Sequence, residues 1–318
     1  MSPKRVAWIA VIAAIVYAGF AGFILNNFEL PAMNAYAWGL VALAALAQIT
    51  ASWFYGLLYK ESVEEAGGQL KAFSAFKAAL VGAGVARLIP AGGAITPVAM
   101  GWTVRDEEPG TTGAAVRAVL LNYAGLLMMT GVGLLLARPQ DSARIASISL
   151  TVLAPFVLLA GVLLMFGSGK LGSLSRFLPK AVRKRLDTTV IDHLPGPESQ
   201  TYIWCRLILE GTALGLVLIA FGIDVNVFQV MAAFGAASIA GGLPGTPGGL
   251  GVTEAGLVFI LSAYGFPAAT TVAPVLIYRI VSYWLPAALS FFAGGMTFLR
   301  SPEAKAAAEV DYEGQHLK

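Results

Sequence analysis

Apolar runs of about 20 residues recur along the chain, and they constrain its fold more than any other feature. One helix needs about 20 apolar residues to cross ~30 Å of hydrocarbon. Such runs occupy residues 6–25, 36–59, 118–137, 145–169, 201–222 and 268–299. Only 12% of the residues are charged, against about 25% in soluble domains. The sequence therefore predicts an all-α, polytopic membrane helical bundle with about six full spans.

Two further apolar segments are interrupted by proline and glycine. Residues 78–100 contain RLIPAGGAITP, and residues 230–264 contain PGTPGGLG. Both residue types break helices, and in a membrane the exposed backbone is tolerated only inside protein or beside a wet cavity. Each segment is predicted to form two half-helices as a re-entrant hairpin; eight full spans are the alternative. PAGGAIT in the first segment resembles PGGLGVT in the second, which suggests an inverted repeat.

Basic residues decide the predicted orientation. Loop 170–200 carries six lysines and arginines against three acids, and Lys4 and Arg5 precede the first run. Positively charged loops stay in the cytoplasm, and both signals agree if the two broken segments are hairpins that enter from opposite sides. We therefore expect one transmembrane domain at 1–300 in the plasma membrane, with both termini cytoplasmic and a disordered tail at 301–318.

Three ionisable residues within the apolar segments, Arg87, Glu254 and Arg279, are the main candidates for function. Such residues cost about 2.5–3.5 kcal/mol at a helix centre. In the functional interpretation they line a midplane cavity. The arginines and the half-helix N-termini would bind an anionic headgroup there, while Glu254 balances the charge or takes a proton. In the alternative interpretation, Glu254 pairs with one arginine and only locks the hairpin.

Other polar residues in the spans favour structural interpretations. Arg206 and Glu210 are four residues apart, which favours an intrahelical ion pair near the membrane surface. Tyr278 and Tyr283 are aromatic residues of the kind that usually pack against neighbouring helices. Pro286 is predicted to kink the last span two turns after the intramembrane arginine.

Catalytic and metal-binding motifs are absent from the sequence. Cys205 is the single cysteine, and His193 and His316 lie in polar segments without the spacing of metal ligands. The basic residues form no stripe interleaved with aromatic residues, as nucleic-acid binding would require. We therefore expect no enzyme activity, no cofactor, no metal and no nucleic-acid partner.

Two motifs near the C-terminus, PGTPGGLGVTEAGL at 244–257 and YRIVSYWLP at 278–286, resemble the lysylphosphatidylglycerol synthase transmembrane-region family. This family is also described as flippase-like or UPF0104 membrane proteins. The matching positions are Pro247, Gly248, Gly249, Gly251, Glu254, Tyr278, Arg279 and Pro286. All of these except Pro286, together with Arg87 in the similar element RLIPAGG, are the predicted substrate-binding residues. Only 19 residues follow Leu299, so we expect the family's soluble aminoacyl-transferring domain to be absent.

The resemblance implies a membrane domain that handles lipids. It favours a flippase-like transporter that moves or binds an anionic phospholipid or a polyprenyl-phosphate-linked lipid. The alternative hypothesis is a non-transporting accessory or scaffold subunit for a membrane glycosyltransferase or lipid synthase. The partners that these hypotheses allow are the lipid itself, a second copy of the chain, and a lipid-modifying enzyme.

Overall fold

The computed structural model describes most of the chain. The described residues are 33–88, 92–138, 144–166, 194–242, 247–299, 301 and 302, with Gly19 and Gly22. The predicted first span at 6–25 lies outside them except for these two glycines. Most of the basic loop at 170–200 and the predicted tail beyond residue 302 also lie outside.

The described residues form helices and short connections, and this part of the chain contains no strand. The helices are α1 (Ala35–Glu64), α2 (Ala72–Leu88), α3 (Gly92–Thr103), α4 (Thr112–Leu136), α5 (Arg144–Phe166), α6 (Pro197–Ala220), α7 (Val227–Gly241), α8 (Val252–Ala263), α9 (Ala268–Arg279), α10 (Leu285–Phe292) and α11 (Gly295–Leu299). A 3₁₀ turn, Pro247–Gly249, precedes α8, and a π-helical turn, Ile280–Trp284, joins α9 to α10. The predicted all-α class is confirmed.

Four helices are long and apolar enough to cross a membrane: α1, α4, α6 and the continuous helix Ala268–Phe292. They coincide with four of the predicted spans, and the predicted span at 145–169 falls on α5. The chain is therefore a polytopic membrane protein, as predicted. Between these long helices lie the shorter α2, α3, α7 and α8, which have 17, 12, 15 and 12 residues.

Glycines allow α4 to pack closely against its neighbours. A methyl group on Gly131 would lie 2.8 Å from the Leu158 Cα of α5, and one on Gly133 would lie 2.5 Å from the Ala232 nitrogen of α7. Apolar side chains gain little by leaving lipid for another helix, so close backbone contact is a main source of cohesion in a membrane bundle. The small residues of α4 therefore place it at the centre of the helix packing.

The four short helices form two antiparallel hairpins. In the first, α2 packs on α3, and the Lys71 amide at its outer end donates to Glu107 Oε1 at 3.1 Å. In the second, α7 packs on α8, with Gly256 against Ala237 and Gly241 against Thr253. Both broken segments thus consist of two half-helices.

The two hairpins approach from opposite ends of the bundle. Near the outer end of the first, Arg117 in the second turn of α4 forms an ion pair with Glu65, which follows α1. At the outer end of the second, Gln229 Nε2 donates to the carbonyl of Arg138, two residues beyond α4, at 2.8 Å. The outer ends therefore lie near opposite ends of α4. The position of the hairpins in a bilayer as re-entrant segments stays a prediction.

Candidate functional site

The inner ends of the two hairpins meet, and a glycine lies at the contact. Gly248 has φ +53°, and a Cβ atom there would lie 2.7 Å from the Arg87 Cα and 2.6 Å from the Tyr283 ring. A side chain at this position would therefore clash with the first hairpin and strain the backbone. Gly249 and Gly251 also have positive φ angles, of +70° and +82°. These glycines allow the tight turn and the close approach that the Pro/Gly-rich motif suggested.

Arg279, at the end of α9, is held by three partners. Its Nε donates to Glu254 Oε1 at 2.8 Å, and its Nη2 donates to the Gly248 carbonyl at 3.3 Å. The guanidinium carbon also lies 4.7 Å from the centre of the Tyr283 ring. The Arg279 and Glu254 side chains are 8% and 11% exposed. The structure thus contains one of the two ion pairs that the sequence left open, and it joins α8 to α9.

Glu254 also closes the N-terminus of its own helix. Its Oε2 accepts a hydrogen bond from the Gly251 amide at 2.8 Å. We expected half-helix N-termini to offer unpaired N–H groups to a ligand. At α8 the protein's own carboxylate takes the Gly251 donor, because residue N3 of a helix can reach back to the N-cap amide.

Arg87, at the end of α2, binds backbone carbonyls instead of a carboxylate. Its Nη1 donates to Ala83 at 2.6 Å and its Nη2 donates to Ser282 at 2.9 Å. Among the described residues, Arg87 forms no ion pair. Arg87 therefore carries a positive charge that no acidic side chain neutralises directly within the described part of the protein.

The π-helical turn explains why the Ser282 carbonyl faces Arg87. Pro286 lies four residues after Ser282 and has no N–H, so the usual α-helical donor to this carbonyl is missing. The turn Ile280–Trp284 starts directly after Arg279, and the Leu285 amide donates to the Ile280 carbonyl five residues back. The irregularity thus begins earlier than the predicted kink at Pro286, and it reaches back to the intramembrane arginine.

Arg206 and Glu210 form the predicted intrahelical ion pair, with 3.3 Å between Nη2 and Oε1. They are the tenth and fourteenth of the 24 residues of α6, so the pair lies in the middle of the helix and not in its first turns. The Arg206 guanidinium carbon lies 3.8 Å from the centre of the Tyr55 ring, and Glu210 Oε1 accepts from Gln48 Nε2 at 3.4 Å. The interpretation of this pair as a surface feature is therefore corrected.

A cavity of about 230 Å³ lies between the hairpin tips and the long helices. Arg87, Arg206 and Arg279 all contribute to its lining. Further polar lining residues include Gln48, Asn122, Tyr123, Glu210, Thr253 and Tyr278. Among the described residues, the three arginines exceed Glu210 and Glu254, the carboxylates paired with Arg206 and Arg279, by one positive charge. The site can thus accept an anion without a further counter-ion.

Four of the eight predicted site residues line the cavity, and the other four support it. Arg87, Gly248, Tyr278 and Arg279 line the cavity. Glu254 pairs behind Arg279. The glycines at 249 and 251 shape the turn, and Pro247 is the first residue of its 3₁₀ segment. This geometry supports the grouping of these residues, although their role in binding stays a prediction.

Sequence reasoning did not find the wall of the cavity that α1, α4 and α6 contribute. Gln48 and Asn122 are uncharged polar residues in long apolar helices, and nothing in the sequence marked them as candidates. Arg206 and Glu210 did give a signal, because they are the only charged residues in their predicted span. Treating any charge pair in a span as a candidate site would have found them.

Comparison with known proteins agrees with this architecture. A family model described as the lysylphosphatidylglycerol synthase transmembrane region matches residues 5–290. Two proteins of Methanothermobacter thermautotrophicus, each called a UPF0104 membrane protein, are similar over shorter stretches. One is 30% identical over 91 residues, which is 29% of this chain and 26% of that protein. The other is 32% identical over 82 residues, which is 26% of this chain and 25% of that protein.

The aligned parts thus span about a quarter of the length of these curated relatives. The family match, in contrast, extends over nearly the whole chain and includes both hairpins and the cavity between them. The protein is therefore a multi-pass membrane protein that belongs to the lysylphosphatidylglycerol synthase transmembrane-region family.

Proposed function

We propose that the protein binds the anionic headgroup of a lipid in the cavity and moves it across the membrane. The observation that carries the proposal is the excess positive charge of the cavity, centred on Arg87, which has no acidic partner among the described residues. Ionisable residues are retained inside membranes mainly where they serve a pathway or a ligand. The proposed ligand is an anionic phospholipid or a polyprenyl-phosphate-linked lipid.

The size of the cavity supports a headgroup and not a whole lipid. Its volume of about 230 Å³ is smaller than the roughly 300–1,000 Å³ of pockets that enclose drug-sized ligands. The acyl chains would remain among the bilayer lipids. The hairpins approach the cavity from opposite ends of the bundle. Movement of one tip would therefore open the cavity to one side of the membrane, and movement of the other tip would open it to the opposite side. This is the alternating access expected of a transporter with a central site.

In this proposal the chain acts as a carrier and not as an enzyme. We place it in the plasma membrane with both termini in the cytoplasm, because of the basic residues before the first span and in loop 170–200. The arginines orient the phosphate, and the tyrosines at 278 and 283 line the cavity on the side of α9 and the π-helical turn that follows it.

A transport assay tests the proposal directly. The purified protein is placed in phosphatidylcholine vesicles that contain a small fraction of fluorescent phosphatidylglycerol, and lipid movement is followed by quenching the outer leaflet. We expect Arg87→Gln to slow the movement at least tenfold, because a hydrogen bond to a charged group contributes about 1.5–3 kcal/mol. Arg105→Gln is the matched control, since Arg105 is half-exposed and stacks on Trp102 away from the cavity.

The outcomes separate the hypotheses. Equal rates for wild type and Arg87→Gln, both well above protein-free vesicles, would remove Arg87 from the pathway. No movement with the wild-type protein, together with a stable partner that co-purifies from the membrane, would favour an accessory subunit instead.

A further inference from the structure

Gln48, which lines the cavity, has a buried hydrogen-bond acceptor that has no donor in the described part of the protein. Gln48 is 2% exposed, and its Nε2 donates to Glu210 Oε1 at 3.4 Å. Because an ionised carboxylate can only accept, this bond determines which end of the amide is oxygen. Gln48 Oε1 is therefore the end without a partner. A buried carbonyl without a donor is costly, so this position favours a ligand that supplies one.

Arg206, which also lines the cavity, has buried hydrogen-bond donors without an acceptor in the described part of the chain. Its Nε and Nη1 are buried and make no hydrogen bond to any described residue. The guanidinium is held by the Tyr55 ring and by one bond from Nη2 to Glu210. Each of these vacant N–H groups can donate a charge-assisted hydrogen bond to an anionic oxygen such as that of a phosphate. Arg279, in contrast, is bound to the Glu254 carboxylate and to Gly248, whereas Arg87 donates only to two backbone carbonyls and has no carboxylate partner among the described residues.

The residues that carry the donors and the acceptor therefore share one neighbour, Glu210. Glu210 contacts both Gln48 and Arg206 through the same oxygen, Oε1, so the unpartnered acceptor and the unpartnered donors lie on either side of one carboxylate. A ligand that satisfies both needs an anionic group and an O–H or N–H donor a few bonds away.

From this arrangement, and on the basis of the proposed function, we propose that the cavity selects a phosphodiester headgroup with one negative charge and a hydroxyl group near the phosphate. Arg206 and Arg87 bind the phosphate, and Gln48 Oε1 accepts from the hydroxyl.

The charge of the cavity distinguishes a phosphodiester headgroup from phosphomonoesters and zwitterionic headgroups. The single excess positive charge is balanced by one phosphodiester. A phosphomonoester carries about −1.5 to −2 at neutral pH and leaves negative charge behind. A zwitterionic headgroup leaves the positive charge of the cavity unbalanced, and the trimethylammonium group of phosphatidylcholine also has no N–H to donate.

Two short-chain lipids of equal charge provide the test. Dihexanoyl-phosphatidylglycerol carries hydroxyl groups, and dihexanoyl-phosphatidylmethanol is the same phosphodiester without them. Each is titrated into the detergent-solubilised wild-type protein by calorimetry, with dihexanoyl-phosphatidylcholine as the zwitterionic control. We expect phosphatidylglycerol to bind about tenfold more tightly than phosphatidylmethanol, since a site with a buried polar group rejects the ligand that leaves it unpaired.

Two variants assign this preference to residues. Gln48→Met keeps the shape of the side chain and should reduce the preference to less than threefold, with little change for phosphatidylmethanol. Arg206→Gln should weaken both lipids by a similar factor and leave their ratio unchanged.

The wild-type measurements alone can overturn the inference. Equal affinity for phosphatidylglycerol and phosphatidylmethanol, both tighter than phosphatidylcholine, would refute hydroxyl selection and leave the anionic-lipid proposal intact. If neither anionic lipid binds more tightly than phosphatidylcholine, the proposed function fails as well.

Discussion

Removal of the Arg279 side chain should destabilise the protein mainly through the carboxylate that it leaves behind. Both members of the Glu254–Arg279 pair are about nine-tenths buried, and their atoms are 2.8 Å apart. Loss of one partner of a buried pair costs about 3–5 kcal/mol. Because Glu254 keeps its hydrogen bond from the Gly251 amide, we expect Arg279→Met to cost about 3 kcal/mol.

The matching experiment is a double-mutant cycle. At about 2 °C per kcal/mol, Arg279→Met should lower the thermal unfolding midpoint in detergent by about 6 °C. Glu254→Gln alone leaves the arginine unpaired and should also destabilise. The combined variant has neither charge, so it should recover at least about 2 kcal/mol relative to the sum of the single losses. If the two losses simply add, the pair does not stabilise the hairpin and the reasoning is wrong.

Two further predictions concern the hairpins. Gly248→Ala should destabilise the protein more than Gly251→Ala: both glycines have positive φ angles, but only a methyl group at Gly248 meets the Tyr283 ring, whereas nothing lies within 4 Å at Gly251. The difference between the thermal unfolding midpoints of the two variants isolates the clash, because both variants carry the strain of a positive φ angle. Equal shifts of the midpoint would contradict the clash. At the outer end of the first hairpin, the hydrogen bond from Ser74 Oγ is the main cause that lowers the pKa of Glu107 from its usual value of 4.5. A lowered pKa in the folded state stabilises above the unfolded value, and this contribution is lost as the pH falls through the folded value. The unfolding temperature of Glu107→Gln should therefore fall less than that of wild type between pH 6 and pH 3.5. Identical slopes of unfolding temperature against pH would argue against a stabilising bond between Ser74 and Glu107.

The breaks in the spans could be predicted because their causes are local. Proline lacks an N–H group and glycine weakens a helix whatever lies around them. The half-helices around Pro/Gly-rich segments therefore follow from neighbouring residues. The family resemblance rests on the same segments, and it pointed to Arg87, Tyr278 and Arg279, which line the cavity.

The contacts of the charged residues could not be predicted in the same way. Both ion pairs proposed for Glu254 were compatible with the sequence, and the structure contains the one with Arg279, 25 residues away. Arg87 instead donates to a carbonyl 195 residues away, which faces it because Pro286 cannot supply the helical donor. Arg206 and Glu210 formed the expected pair, but only the packing of α1 against α6 brought Gln48 to the same carboxylate.

The sequence by itself thus determined that the protein is an all-helical membrane bundle, where its helices break, and which residues carry charge inside it. These properties depend on the cost of placing a residue or a peptide group in hydrocarbon, which each segment meets on its own. The tertiary structure alone decided which charge is neutralised and which faces a cavity. Electrostatic energy depends on the distance between groups in space, and that distance is set only when the two hairpin tips pack against α1, α4 and α6.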